Sequence, residues 1–205
     1  MHDFIEFKNK EKILLNKYIN LIKKNQNKVN LIGKSTFSDI WSRHIIDSMQ
    51  ILNYLPKETK EDYLLDVGTG AGFPGLVLAI MGRNDVLLCE KSPKKAVFLK
   101  KVLKECNLNA DVCNEKIENI IGNNIKIIVS RAFSSIKKLL LCINHLLSRQ
   151  TVLVIHKGRK YQEELKEAKN FFYFTFKKFN SITSDEGVIL KIENIQLKFQ
   201  YDQGS

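Results

Sequence analysis

Between Glu11 and Lys24, apolar side chains fall at Ile13, Leu14, Leu15, Tyr18, Ile19, Leu21 and Ile22, the spacing of a helix with one buried face. Ser38 and Asp39 stand where they can cap a second helix, continued by Ile40, Trp41, Ile45, Met49 and Leu52. From Tyr63 the pattern changes. Short apolar runs, Tyr63–Val67, Val86–Glu90, Ala110–Cys113, Lys126–Ser130 and Thr151–His156, are separated by helical stretches of about a dozen residues, which predicts βαβ units and a parallel sheet. Pro74 and Pro93 fall in the expected first helical turns, where a missing N–H costs nothing, and Ser92 is placed to cap the second of them. After Phe171 the helical pattern stops. Phe171–Lys178 and Val188–Gln196 read as two long strands joined by Asn180–Gly187, so the sheet is expected to close with an antiparallel hairpin. The pattern therefore predicts an α/β chain that packs as one compact unit. It has an N-terminal helical extension over 1–58 and a Rossmann-like domain over 59–205, with a mostly parallel seven-stranded sheet.

Composition narrows this picture. With 205 residues, 44% of them apolar and 27% charged, the chain can bury a sizeable core and is too apolar for disorder. Met1–Glu6 lacks the basic-then-apolar layout of a leader and no apolar run is long enough to span a bilayer, so the expectation is a cytoplasmic protein without membrane contact. Cys89, Cys106, Cys113 and Cys142 form no C-x-x-C pair, from which neither disulfide nor metal is expected.

The net charge of +11 is unevenly spread. Residues 1–36 carry eight basic and three acidic side chains and 137–178 carry ten and three, whereas 37–136 is nearly balanced at thirteen to twelve. Such basic surface suits an enzyme that meets a polyanion, although a merely solvated lysine-rich surface fits charge alone equally well.

The candidate chemistry lies in Asp66-Val67-Gly68-Thr69-Gly70-Ala71-Gly72-Phe73-Pro74-Gly75. A strand ending in an acid and entering a glycine-rich turn lets backbone N–H groups approach a ligand, because glycine has no Cβ in the way. Gly70–Gly75 also satisfies G-x-G-x-x-G and Glu90 lies 20 residues beyond Gly70, which keeps a nicotinamide dinucleotide in play. Three features favour S-adenosylmethionine instead. Asp66 is placed to organise the loop and face a sulfonium; Gly68, Gly70 and Gly72 make a compact floor; and a terminal antiparallel hairpin characterises class I S-adenosylmethionine-dependent methyltransferases. Glu90 would then hold the ribose hydroxyls.

Further motifs specify more. Asn30-Leu31-Ile32, Arg43-His44-Ile45-Ile46-Asp47-Ser48, the loop Asp66–Gly75, Glu90 through Leu99, Ser130-Arg131-Ala132-Phe133 and Lys157-Gly158 follow one another in a fixed order. Together they resemble the bacterial small-subunit ribosomal RNA guanine-N7 methyltransferases, the glucose-inhibited division protein B family. The resemblance implies that Gly68 and Phe73 line the cofactor site, that Ile117 and Glu118 flank the adenine, and that Arg131 reaches cofactor or substrate. It implies ribosomal RNA or the small subunit as partner, no DNA, and a monomer. Lys94-Lys95 stand where many members carry a lysine-arginine pair, and Phe171–Gln196 keeps only the general strand pattern.

Guanine N7 has an available lone pair and no proton, so its methylation needs alignment rather than a general base, and no catalytic base stands out. Lys157, Arg159 and Lys160, after the fifth strand, are the first candidates for RNA contact. Phe133 either stacks on the base or fills the core. Arg43 and Asp47, four apart, are expected to form an intrahelical pair, and His44 to be a hydrogen-bonded structural group. Gln203-Gly204-Ser205 is read as a tail with no role. The alternatives left standing are a methyltransferase acting on another RNA, a protein or a small molecule, an NAD-dependent enzyme, and a non-catalytic RNA-binding protein.

Overall fold

The computed structural model describes residues 7–59, 61–122 and 124–198, so the Met1–Glu6 and Gln203–Ser205 readings lie outside the described residues. Its frame is a seven-stranded sheet of order β3-β2-β1-β4-β5-β7-β6. The strands are β1 (Tyr63–Val67), β2 (Val86–Cys89), β3 (Asp111–Cys113), β4 (Ile125–Arg131), β5 (Val152–Lys157), β6 (Phe172–Asn180) and β7 (Val188–Leu197). The first five pair in parallel, and β7 runs antiparallel to both β5 and β6. Each strand begins within one residue of its expected start.

The helices are α1 (Asn9–Asn25), α2 (Asp47–Met49), α3 (Gly75–Ile80), α4 (Pro93–Cys106), α5 (Ile136–Ile143) and α6 (Tyr161–Lys169). They cover both faces of the sheet. One core gathers α1, α3 and α4 with Leu64, Leu88, Ile127, Val129 and Val154 of the strands. The other gathers α5 and α6 with Leu65, Val67, Ile128, Leu153 and Ile155. Both faces are apolar because successive strand residues point to opposite sides and each side carries helices.

Three local expectations need correction, the first being that the β3–β4 gap, expected to be helical, holds only the 3-10 turn Ile117–Asn119 among its described residues because too few residues separate the two strands for a crossover helix. The second N-terminal helix is not one regular α-helix: Lys34–Asp39 is 3-10, Trp41–Ile46 is π-helical, α2 is a single turn, and Gln50–Tyr54 is again 3-10. Asp39 does cap it, accepting the Ser42 N–H at 3.1 Å. Pro74 sits one residue before α3, in the cap position, rather than in its first turn, and the free Gly75 N–H is satisfied by Asp66. Pro93 does open α4, and Ser92 holds the cap position without a side-chain capping bond.

The N-terminal segment shares the first core rather than making its own. Tyr18 of α1 is completely buried, and its hydroxyl donates to the Ala71 carbonyl of the glycine loop at 2.7 Å. Among the described residues, no helix is long and apolar enough to cross a membrane.

Removing only that hydroxyl, with Tyr18→Phe, leaves the ring packed and the buried Ala71 carbonyl without its donor. The expected loss of stability is about 1–2 kcal/mol, read as a lower urea midpoint at unchanged slope.

Candidate functional site

The sheet order reverses between β1 and β4, and in open α/β sheets ligands bind outside the carboxyl ends of the strands at that crevice. Near that end of β1 stands Asp66, which is fully buried. Its Oδ2 accepts from Thr69 Oγ1 at 2.5 Å and from the Gly75 N–H at 2.7 Å, so a single carboxylate ties both ends of the loop to the strand. Its Oδ1 is buried with no partner in the protein. Burial pushes the Asp66 carboxyl up to about 6, against the lowering pull of the Thr69 and Gly75 bonds and of Arg131.

Gly68 and Gly70 both lie in the left-handed region, with φ of 66° and 63°. A Cβ on Gly68 would meet the Phe133 ring at 2.6 Å, so glycine there keeps the passage between loop and ring open. Glu90, just after β2, accepts the Gly70 N–H through Oε2 at 3.0 Å and the Ser92 N–H through Oε1 at 2.7 Å. It thus clamps the glycine loop to the β2–α4 loop, while each oxygen retains acceptor capacity for hydroxyl donors.

Gly68, Gly70, Glu90, Ile117 and Glu118 line a cleft of about 550 Å³, which they share with Ala132–Ser134. Ile117 is buried and supplies an apolar wall, with the exposed Glu118 at its rim. The residue set suits a nucleoside carrying an amino acid: a Cβ-free cradle, a carboxylate for hydroxyls, and an apolar side for a flat ring.

A second cleft, of about 710 Å³, lies on the other side of Ala132–Ser134 and is lined by Arg43, His44, Asp47, Arg131, His156 and Lys157, among others. Ala132, which separates the two, is itself left-handed at φ 54°, an uncommon conformation for a residue with a Cβ and one concentrated at functional sites.

Arg131 organises this second cleft. Its Nη1 donates to the Arg43 carbonyl at 2.8 Å and to Asp47 Oδ2 at 3.1 Å, and its Nη2 lies 2.6 Å from His44 Nδ1. A guanidinium only donates, so Nδ1 accepts, and the His44 proton sits on Nε2, which donates to Thr36 Oγ1 at 2.8 Å. His44 is accordingly held neutral: burial, and then Arg131, lower it to about 4. Phe73 stacks on His44 with centroids 4.8 Å apart and lies under the Arg131 guanidinium, 5.0 Å away. Asp47 closes the network by accepting from Thr183 Oγ1 at 2.7 Å and Gln50 Nε2 at 2.8 Å. Burial raises the Asp47 carboxyl, but His156, Arg131 and Thr183 outweigh it and hold it below the ordinary value. His156, facing Arg131 across the β4–β5 pairing, donates Nε2–H to the Asp47 carbonyl at 2.6 Å.

The structure therefore divides the expected site residues between two places. Gly68, Gly70, Glu90, Ile117 and Glu118 converge on the first cleft, with Asp66 buried beneath its loop. Phe73 and Arg131 stand apart from it, on the side of the second. The Arg43–Asp47 pair does not form, since Asp47 is committed to Arg131 and the hairpin loop while Arg43 contributes its carbonyl. Lys157 and Arg159 line the second cleft and Lys160 does not. Lys157 pairs with Glu164 at 2.7 Å and also donates to the Ser134 carbonyl, and Arg159 pairs with Glu186. No sequence motif points to His156 or Thr183, and only the Arg43–Ser48 segment signals that something upstream belongs to the site. Among the described residues no three His, Cys, Asp or Glu side chains gather as a metal site would require, and the four cysteines are free.

The sheet order with its reversed β7, together with a glycine cradle and an acid at each of the first two strand ends, defines a class I S-adenosylmethionine-dependent methyltransferase. The model of the family described as "GidB: rRNA small subunit methyltransferase G" matches residues 11–198, and the chain belongs to that family. It is 38% identical over 175 residues to the ribosomal RNA small subunit methyltransferase G of Rickettsia akari, covering 85% of this chain and 90% of that one. Among solved structures it superposes on a TehB-like SAM-dependent methyltransferase from Corynebacterium glutamicum with a TM-score of 0.56 and 18% identity, over 90% of this chain and 97% of that one. It also superposes on a mutant of MtNAS in complex with S-adenosylmethionine, with a TM-score of 0.60 and 15% identity over 89% and 76%. The dinucleotide alternative falls with this assignment.

Gly68→Arg should fill the cradle and abolish the rise in melting temperature given by S-adenosylmethionine in a thermal-shift assay, whereas Gly158→Ala, in open space, should keep it. Retained stabilisation in a folded Gly68→Arg protein would place the cofactor elsewhere.

A pH dependence follows from His44. Its folded value of about 4 lies below the ordinary 6.5, so between those values the unfolded chain binds more protons and stability rises with pH. The His44 contribution to the unfolding free energy measured in urea should fall on the order of 2 kcal/mol from pH 7 to pH 5, offset in part by Asp66, whose raised folded value makes the folded state take up a proton over the same range. His44→Gln should flatten that slope in part, because His156 is lowered in the same direction by burial.

Proposed function

We propose that this chain transfers a methyl group from S-adenosylmethionine to N7 of a guanine in small-subunit ribosomal RNA. The observation that carries the reading is the pair of clefts meeting at Ala132–Ser134, one suited to the cofactor and the other held open around Arg131. S-adenosylmethionine, when bound, supplies a methyl group on a positively charged sulfur that is already a good leaving group. Gly68 and Gly70 give the room, Glu90 the acceptors for the ribose, and Asp66 the negative charge beneath the loop. Ile117 and Glu118 bound the place left for the adenine.

The second cleft has to present a nucleophile rather than deprotonate one. Both nitrogens of His44 are engaged and its low basicity keeps it neutral, while Asp47 is spent on Arg131, Thr183 and Gln50. A substrate atom with a free lone pair and no proton fits such a site, and guanine N7 is one. The Arg131 guanidinium, fixed by three partners and lying over Phe73, is positioned to hold a base edge that has been turned out of its helix. The exposed Arg159 at the rim then meets a flanking phosphate, while Lys157, held by Glu164 and the Ser134 carbonyl, fixes the wall of the cleft. Such a substrate implies a protein that works in the cytoplasm.

Small-subunit RNA from cells lacking the protein is expected to lose one N7-methylguanosine by mass spectrometry, and the purified enzyme with S-adenosylmethionine to restore it. RNA that stays fully methylated without the protein would overturn the assignment.

A further inference from the structure

Along the chain, residues 37–136 are nearly charge-balanced, yet the balance is not kept in space. α4 comes from that stretch, and it carries five lysines against one glutamate, as α1 does, a net +4 apiece. The two helices pack side by side on the first face of the sheet, and Lys17 of α1 donates to the Glu105 carbonyl of α4. Lys10, Lys17 and Lys24 recur every seven residues, so they line one exposed flank of α1 about 10 Å apart. Lys94, Lys101 and Lys104 are exposed on α4. Of these six lysines only Lys101 has a carboxylate partner among the described residues, Glu105 at 3.8 Å. The acid of α1, Glu11, is turned back onto the Lys8 N–H at 2.8 Å.

We infer that this α1–α4 face is a docking surface for the phosphate backbone of the RNA substrate, outside the two clefts. Three observations support RNA as the occupant. The face is contiguous with the cofactor cleft, since Lys91 and Lys95, at the start of α4, already line it. The groove between the helices presents Asn16 and Asn20 between the charges, amides that hydrogen-bond sugars and phosphates without reading sequence. The lysines are point charges on long stems, which suits attraction along a backbone rather than recognition of bases. Two apolar side chains, Ile13 and Val97, are each 68% exposed on these helices, and as isolated residues they form no continuous apolar stripe for burial in a bilayer.

The inference rests on the proposed RNA substrate, so binding is measured apart from methyl transfer. The quadruple variant K10Q/K24Q/K94Q/K104Q is compared with wild type for affinity to small-subunit ribosomal RNA across a salt series. The expected result is a plot of log affinity against log salt that is shallower by about 3, because each phosphate that is no longer neutralised takes about 0.7–0.9 off the slope. Affinity at about 150 mM salt should drop at least ~10-fold, with the cofactor thermal shift unchanged and kcat at saturating RNA preserved. A control, K166Q/K169Q/K177Q/K178Q, removes equal exposed charge from α6 and β6, at the far edge of the sheet. An unchanged slope in the first variant, or an equal decrease in both, overturns the docking surface. So does a variant that binds RNA as wild type does but no longer binds phosphatidylserine vesicles, which would make the face a membrane contact. If wild type binds RNA but transfers no methyl group to it, the proposed function fails, and the slope comparison still decides the surface.

Discussion

A buried carboxylate near the end of β1 is the constraint on which the cofactor end of this molecule depends. Asp66 has no solvent, and it accepts from Thr69 and Gly75, residues on either side of Gly70 and Gly72. Burying a charge is costly unless hydrogen bonds compensate, and here the hydrogen bonds reach only Oδ2. The uncompensated part is located at Oδ1, which no protein group reaches. A site that binds a sulfonium can use such a residue, because a cationic ligand bound above the loop would supply the charge that the protein leaves out.

The loop so formed is held from two further directions. Glu90 accepts the Gly70 N–H from one side, and the Tyr18 hydroxyl donates to the Ala71 carbonyl from the other. The second contact explains why the helical extension shares a core with the sheet. Without α1, the floor of the glycine loop would lose a buried partner as well as its packing.

Arg131 plays the corresponding part in the second cleft. It joins β4 to the irregular N-terminal helix through the Arg43 carbonyl, His44 and Asp47, and Asp47 extends the connection to the β6–β7 loop through Thr183. Charges shielded in this way are cheap only while every partner is present, because removing one leaves the others buried and unpaired. The network therefore holds three distant parts of the chain in one geometry around the second cleft. It also accounts for the otherwise unmotivated joint occurrence of Arg43–Ser48 and Ser130–Phe133 in one chain.

The period of the apolar residues was enough to locate all seven strands and the closing hairpin, since side chains alternating about a pleated backbone leave a local signature. The glycine loop and Glu90 were legible for a similar reason, because a turn that must pass close to a ligand restricts residue types at fixed offsets. Three things were decided only in three dimensions. Asp47 pairs with Arg131 rather than with Arg43, a choice that local spacing cannot express because the partner lies 84 residues away. Phe73, expected to line the cofactor site, and Arg131, expected to reach cofactor or substrate, both stand on the side of the second cleft, because the Phe73 ring packs against His44 and the Arg131 guanidinium, and the backbone at Ala132–Ser134 separates the two clefts. The charge of α4, cancelled along the chain by neighbouring acids, was summed with that of α1 once the two helices packed together. Sequence by itself determined what the strands and the cofactor loop are, since those follow from near neighbours. Which charges face each other, and hence what the enzyme presents to a polyanion, followed from packing between segments that are remote along the chain.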